Sequence, residues 1–105
     1  MAVEPNHDAL SAAAIKSFAA AFGSVLELAP DSGLPLWVDG RAAPPKILTR
    51  QPDDAEASCQ WNGAREALVR AIAGARAFES AYVSGRVSIA GDMSVMARIS
   101  LDENR

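Results

Sequence analysis

With a single cysteine, Cys59, the 105-residue chain cannot form an intrachain disulfide, and nothing in its thiol content calls for an oxidising compartment. The expected location is therefore the cytoplasm. The lone histidine, His7, stands in a polar N-terminal stretch and reads as a solvated residue, which excludes a histidine-dependent triad. Aromatic residues make up only 6% of the chain, and much of the apolar half is alanine, so the core has few large anchors. Basic residues are in deficit: the net charge of -3 leaves no positive stripe to track a phosphate backbone, and nucleic acid is not an expected partner. No apolar run approaches the about 18 residues that a spanning helix needs, and residues 1–8 carry no positive leader. A soluble, unprocessed protein without stable membrane insertion is expected, as one domain over 1–105 with 1–6 and 102–105 frayed.

The most informative segment present is the closing passage, Ala81-Tyr82-Val83-Ser84-Gly85-Arg86-Val87-Ser88-Ile89-Ala90-Gly91-Asp92-Met93-Ser94-Val95-Met96-Ala97. Gly85 and Gly91 bracket a short strand with Val87 and Ile89 on one face. Asp92 then occupies an N-cap position, where its carboxylate accepts from the first free amides of a following helix. Beyond it, Met93, Met96, Ala97 and Leu101 recur at helical spacing, while Met93, Val95, Ala97, Ile99 and Leu101 alternate with period two. The cap favours helix.

Earlier in the chain, Asp8 caps an expected helix from Ala9 to Phe22, with Ile15, Phe18, Ala19 and Phe22 on one face and Gly23 as its end signal. Val25, Leu26 and Leu28 form an expected strand, and Pro30-Asp31-Ser32-Gly33 a turn. Leu34, Leu36 and Val38 alternate along a partner strand, with Pro35 placing its start or its edge there. A weak third strand covers Ile47 to Gln51, an acidic loop runs from Pro52 to Glu56, and a fourth strand spans Ser58 to Trp61. Asn62 is the expected cap of a helix carrying Leu68, Val69 and Ile72, with Glu66 and Arg70 paired at i,i+4 on its outer side and Gly74 ending it. A short helical stretch through Phe78 and Tyr82 leads to the closing strand. The order predicts an α+β fold in which a meander of strands is covered by helices.

The closing passage, the Asp39-Gly40 turn, the Cys59-Gln60-Trp61 strand and the helix ending at Gly74 together resemble the sterol carrier protein type 2 (SCP-2) family. The chain resembles a short, bacterial-type, single-domain member. It differs in having Ser58 where the family usually has an aspartate, and in ending at Arg105 where longer members continue with a tail over the cavity mouth. The resemblance implies a five-stranded, mainly antiparallel sheet covered by helices on one side, with an apolar cavity between them. It also implies helix after Asp92, and non-catalytic binding of apolar ligands with no cofactor and no metal.

In a small domain, aromatic and methionine side chains at regular spacing are ordinarily core. The resemblance instead assigns Phe18, Phe22, Trp37, Trp61, Phe78, Tyr82, Ile89, Met93, Met96 and Ala97 to the lining of a cavity. Paired methionines suit an adaptable wall, and the Tyr82 hydroxyl suits a ligand head group. Catalytic alternatives are poor. Cys59, on an alternating strand without a basic neighbour in sequence, reads as a small buried hydrophobe. Asp53, Asp54 and Glu56 lack the glycine-centred order of a calcium loop. Gly85 and Gly91 have neither the spacing nor the lysine of a phosphate fingerprint.

Burying ~12 methylenes yields roughly 10 kcal/mol before association costs, so an apolar cavity needs no charge motif to reach micromolar affinity. The leading expectation is a carrier of fatty acid, fatty acyl or sterol-like ligands. The alternative is an interaction module with a collapsed cavity, a homodimer burying Trp37 or Trp61.

Overall fold

A computed structural model describes residues 5–99 of the chain, with side chains described from Leu10 onward. The elements are α1 (Pro5–Ser17), β1 (Val25–Pro30), β2 (Leu36–Asp39), β3 (Lys46–Leu48), β4 (Cys59–Gly63), α2 (Arg65–Ala71), α3 (Ala75–Val83), β5 (Val87–Gly91) and a closing 3₁₀ helix, Met93–Ala97. The strands form one sheet in the order β3-β2-β1-β4-β5. Three of its four pairings are antiparallel, as expected; the exception is β1 with β4, which run parallel from Leu26↔Cys59 to Pro30↔Gly63. The strands are therefore not a simple meander. After β3 the chain returns to the far side of β1, and β4 takes an interior place between β1 and β5.

That placement explains why Cys59 and Trp61 are buried. Register puts Leu26, Leu28, Leu36, Val38, Cys59, Trp61 and Val87 on one face, where they meet Leu10, Ala14 and Phe18 from the N-terminal region, Leu68, Ala71 and Ile72 from α2 and its end, and Ala81 from α3. On the opposite face, the paired positions Leu48, Trp37, Glu27, Gln60 and Ala90 run across the sheet in one row. The architecture is α+β, with helices on a single face.

Several expected boundaries move, each for a local reason. Helix α1 stops at Ser17, because after the Phe18 N–H donates to the Ala14 carbonyl at 2.9 Å the chain turns away. The amides of Phe22 and Gly23 donate instead to the Gly40 carbonyl, at 2.9 and 2.8 Å. Its buried stripe is accordingly Leu10, Ala14 and Ser17, while Ile15 is 62% exposed and Ala19 is also outside the core. Pro5 begins the helix, a position that costs no hydrogen bond, so Asp8 lies within it and is not its cap. Leu34 precedes β2 and is half exposed, and β3 ends at Leu48 rather than Gln51. Asn62 belongs to β4, opposite Ser88, and α2 starts after Ala64 with no side-chain cap.

The Asp92 cap is present: its carboxylate accepts from the Ser94 amide at 2.9 Å and the Ser94 hydroxyl at 2.6 Å. The capped segment is a 3₁₀ helix rather than an α-helix and ends at Ala97; Leu101 lies outside the described residues. Of the ends expected to fray, residues 1–4 and 102–105 also lie outside them, while Pro5 and Asn6 open α1. Gly91 adopts φ +93°, and a Cβ there would meet the Ser58 carbonyl oxygen at 2.6 Å, so the corner between β5 and the 3₁₀ helix requires glycine.

Candidate functional site

Five aromatic residues from three parts of the chain form a continuous row through the molecule. The Phe22 and Phe18 ring centroids are 6.1 Å apart, Phe18 and Trp61 6.0 Å, Trp61 and Phe78 4.5 Å, and Phe78 and Tyr82 6.2 Å, the last pair nearly parallel at 10°. Phe18 and Phe22 enter it from the non-helical link after α1, Trp61 from the interior strand β4, and Phe78 and Tyr82 from successive turns of α3. The row begins in the core and reaches the surface at Tyr82, which is 46% exposed.

The 3₁₀ helix lies against this row. The indole N–H of Trp61 donates to the thioether sulfur of Met96 at 3.2 Å, and Val95 is fully buried in the core. Met96 and Ile89 are half-buried and pack on the same cluster. The segment is tied at both ends: the Asp92 amide donates to the Ser58 carbonyl at 2.8 Å, and the Arg98 guanidinium donates to the Phe22 carbonyl and to the Ser24 hydroxyl, both at 3.1 Å.

The residues expected to line a cavity therefore divide. Phe18, Phe22, Trp61, Phe78 and Tyr82 form the row, with Ile89 and Met96 packed against the same core. Met93, 49% exposed, and Ala97 are exposed to solvent, whereas Val95 points into the core. Trp37 lies on the other face of the sheet, in register with Glu27 and Leu48, and its buried indole nitrogen has no hydrogen-bond partner among the described residues.

Sequence reasoning missed a groove of about 490 Å³ between α2 and α3. Ala64, Ala67, Ala77 and Ala81 line it together with Asp31, Glu66, Arg70, Ser80 and Arg86. None of the expected lining residues belongs to it; α3 separates it from the aromatic row. The alanines that form it were visible in the sequence only as weak apolar positions. The expected Glu66–Arg70 pair is not among the ion pairs of the described residues, and both side chains line this groove instead.

The ion pairs found lie at the far end of the sheet. Arg41 contacts Asp39 at 2.7 Å and Asp54 at 3.1 Å, tying the acidic loop to the end of β2. The hydrogen bonds from Arg41 hold the Asp39 carboxyl down at about 2. Burial raises the Cys59 thiol above its ordinary value, which keeps it protonated and unreactive. Among the described residues no group of three or more His, Cys, Asp or Glu side chains is arranged to hold a metal ion, and no helix is long and apolar enough to cross a membrane.

Comparison with known structures places this architecture. A UbiJ-SCP2 ubiquinone synthesis protein superposes with a TM-score of 0.60 at 14% identity, over 90% of this chain and 75% of that one. Sterol carrier protein 2 from Yarrowia lipolytica, in its apo form, superposes with a TM-score of 0.58 at 15% identity, over 91% and 81%. The chain has the SCP-2 fold. No family model matches the sequence, and no curated protein matches it. Within the SCP-2 fold, the closing passage that carried the resemblance is β5 with its capped 3₁₀ helix, the segment that covers the aromatic row.

Proposed function

We propose that the protein binds an apolar lipid without catalysis, in the space between the helices and the inner face of the sheet, as a carrier or buffer. The observation that supports this most directly is the aromatic row under Met96, in a fold shared with sterol carrier protein 2. Its wall is Phe18, Phe22, Trp61, Phe78, Tyr82, Ile89 and Met96. An unbranched thioether and flat rings can repack around ligands of different outline, so discrimination among chains and rings is broad. Tyr82, at the exposed end of the row, is the residue that would meet a head group. The cytoplasm is the compartment in which a chain with one free thiol would act.

The test is to purify the protein natively, extract it with organic solvent and analyse the extract by mass spectrometry beside a fold-matched control. Stoichiometric lipid supports the reading. A clean extract, followed by no rise in melting temperature with added dodecanoate, cholesterol or a short-chain ubiquinone, overturns it. The ubiquinone is included because one structural neighbour is a ubiquinone synthesis protein.

A second reading, an interaction module, is favoured by the close packing of the row, with Trp61 fully buried and its ring 4.5 Å from that of Phe78. It would use the outer face of the sheet, where Trp37 is only partly covered, to form a homodimer. Sedimentation showing a strict monomer excludes that form of it.

A further inference from the structure

We propose that residues 92–99 form a lid over the aromatic row and that Arg98 is its latch. Beneath the segment Val95 is fully buried and Met96 accepts from the Trp61 indole N–H, so on this side Trp61 is reached only if the segment moves. The segment is also built to move. A five-residue 3₁₀ helix lacks the hydrogen-bond ladder of an α-helix, and Met93, Ser94 and Ala97 are exposed, which leaves Val95 as its one fully buried residue.

The anchors are unequal. At the start, the Asp92 amide donates to the Ser58 carbonyl beside Gly91, a backbone tie that continues the β4–β5 ladder and acts as a hinge. At the far end, the half-buried Ile99 packs against the core, and the polar hold is one side chain. Arg98 reaches across 76 positions of sequence to the Phe22 carbonyl and across 74 to the Ser24 hydroxyl. Both acceptors are neutral, and Arg98 forms no ion pair among the described residues. Its latch site is therefore set directly on the link that carries Phe22 into the row. A guanidinium held by uncharged oxygens gives them up readily to a carboxylate or phosphate, which forms shorter and stronger bonds with it. An amphiphile with an anionic head can thus draw the latch off while its tail replaces Met96.

This rests on the lipid reading only for what enters; the opening itself is measurable without ligand. In a Trp37→Phe background Trp61 is the one remaining tryptophan, so acrylamide quenching reports its exposure. Loss of charged hydrogen bonds to Phe22 and Ser24 shifts a local equilibrium by about tenfold. Arg98→Ala is expected to raise the amide exchange of Val95 by about that factor and to increase quenching of Trp61. The amides of Leu26 and Leu28 in β1 should not change. Ser24→Ala should give a smaller change in the same direction, and Arg98→Lys one between wild type and Arg98→Ala. Unchanged exchange at Val95, or an equal rise at Val95 and Leu28, overturns the lid. With dodecanoate as the probe, faster association by Arg98→Ala than by wild type supports gating. If Arg98→Ala opens but neither protein binds dodecanoate, cholesterol or a short-chain ubiquinone, the lid stands and the lipid reading fails.

Discussion

The two tryptophans offer a paired test of how this fold is held together, because the structure gives them opposite surroundings. Trp61 is fully buried, contacts Phe18 and Phe78 and donates its indole N–H to Met96. Replacing it with phenylalanine removes up to about 100 Å² of buried apolar area, which at about 25 cal/mol per Å² is roughly 2.5 kcal/mol. A residual cavity adds to this, while partial collapse and the weakness of a thioether acceptor reduce it. The expected loss for Trp61→Phe is about 2 kcal/mol.

Trp37 differs in one decisive respect: its indole nitrogen is buried without a partner among the described residues. An unsatisfied buried donor costs about 1–3 kcal/mol, so Trp37→Phe relieves a penalty comparable to the packing that it loses and is expected to fall within about 1 kcal/mol of wild type. Urea denaturation followed by far-ultraviolet circular dichroism resolves the difference. In a domain of this size 2 kcal/mol corresponds to a shift of about 10 °C in Tm. Equal losses at the two positions, or a larger one at Trp37, would refute the assignment of Trp61 to the core and of Trp37 to a strained outer face.

Three further outcomes rest on local geometry. Gly91→Ala should destabilise by more than about 2 kcal/mol, since strain at φ +93° is joined by the clash with the Ser58 carbonyl, whereas Gly85→Ala, at φ +82° in open space, should cost about 1 kcal/mol; thermal melts compare them. Cys59, buried and with a raised pKa, should react with iodoacetamide only as fast as the protein opens, so its labelling rate should climb steeply with urea; rapid labelling of native protein would contradict its position in the sheet. The Asp39 carboxyl, lowered from 3.8 to about 2 by hydrogen bonds from Arg41, contributes stability that is complete above about pH 5 and is lost as pH falls towards 2. Arg41→Met should flatten that part of the acid limb, and an unchanged limb in a urea titration between pH 4 and 2 would show that the pair is screened.

Much of the fold was legible because its signals are local. The β5 strand, its two glycines and the Asp92 cap each depend on a few neighbouring residues, and all are present. The errors arose where distant parts of the chain decide. Phe18, Ala19 and Phe22 are spaced for a helix, but the Gly40 carbonyl captures the Phe22 and Gly23 amides and ends α1 sooner. Asn62 is a good cap by type, yet pairing with Ser88 keeps it in β4. Parallel pairing of β1 with β4 leaves no local signal at all, because the connection between them contains another hairpin. Within the candidate site, aromatic type located five members of the row, while only register could show that Trp37 belongs to the other face. The alanine-lined groove escaped notice because alanine is compatible with every environment.

The groove and the row make different demands on the same helix, and this allows the site of binding to be settled by substitution. Ala77 and Ala81 of α3 face the groove, and Phe78 and Tyr82 face the row. Ala77→Trp occupies the groove from a half-buried position and should leave lipid binding within about twofold of wild type if the ligand enters beneath the 3₁₀ helix. Met96→Asp places a carboxylate beside the Trp61 indole, where desolvation opposes it, and should abolish binding of dodecanoate. Met93→Asp, at an exposed position, is the control that carries the same charge one turn away and should bind normally. Loss of binding in Ala77→Trp with retention in Met96→Asp, both proteins being folded by circular dichroism, would move the ligand out of the aromatic row and into the groove between α2 and α3.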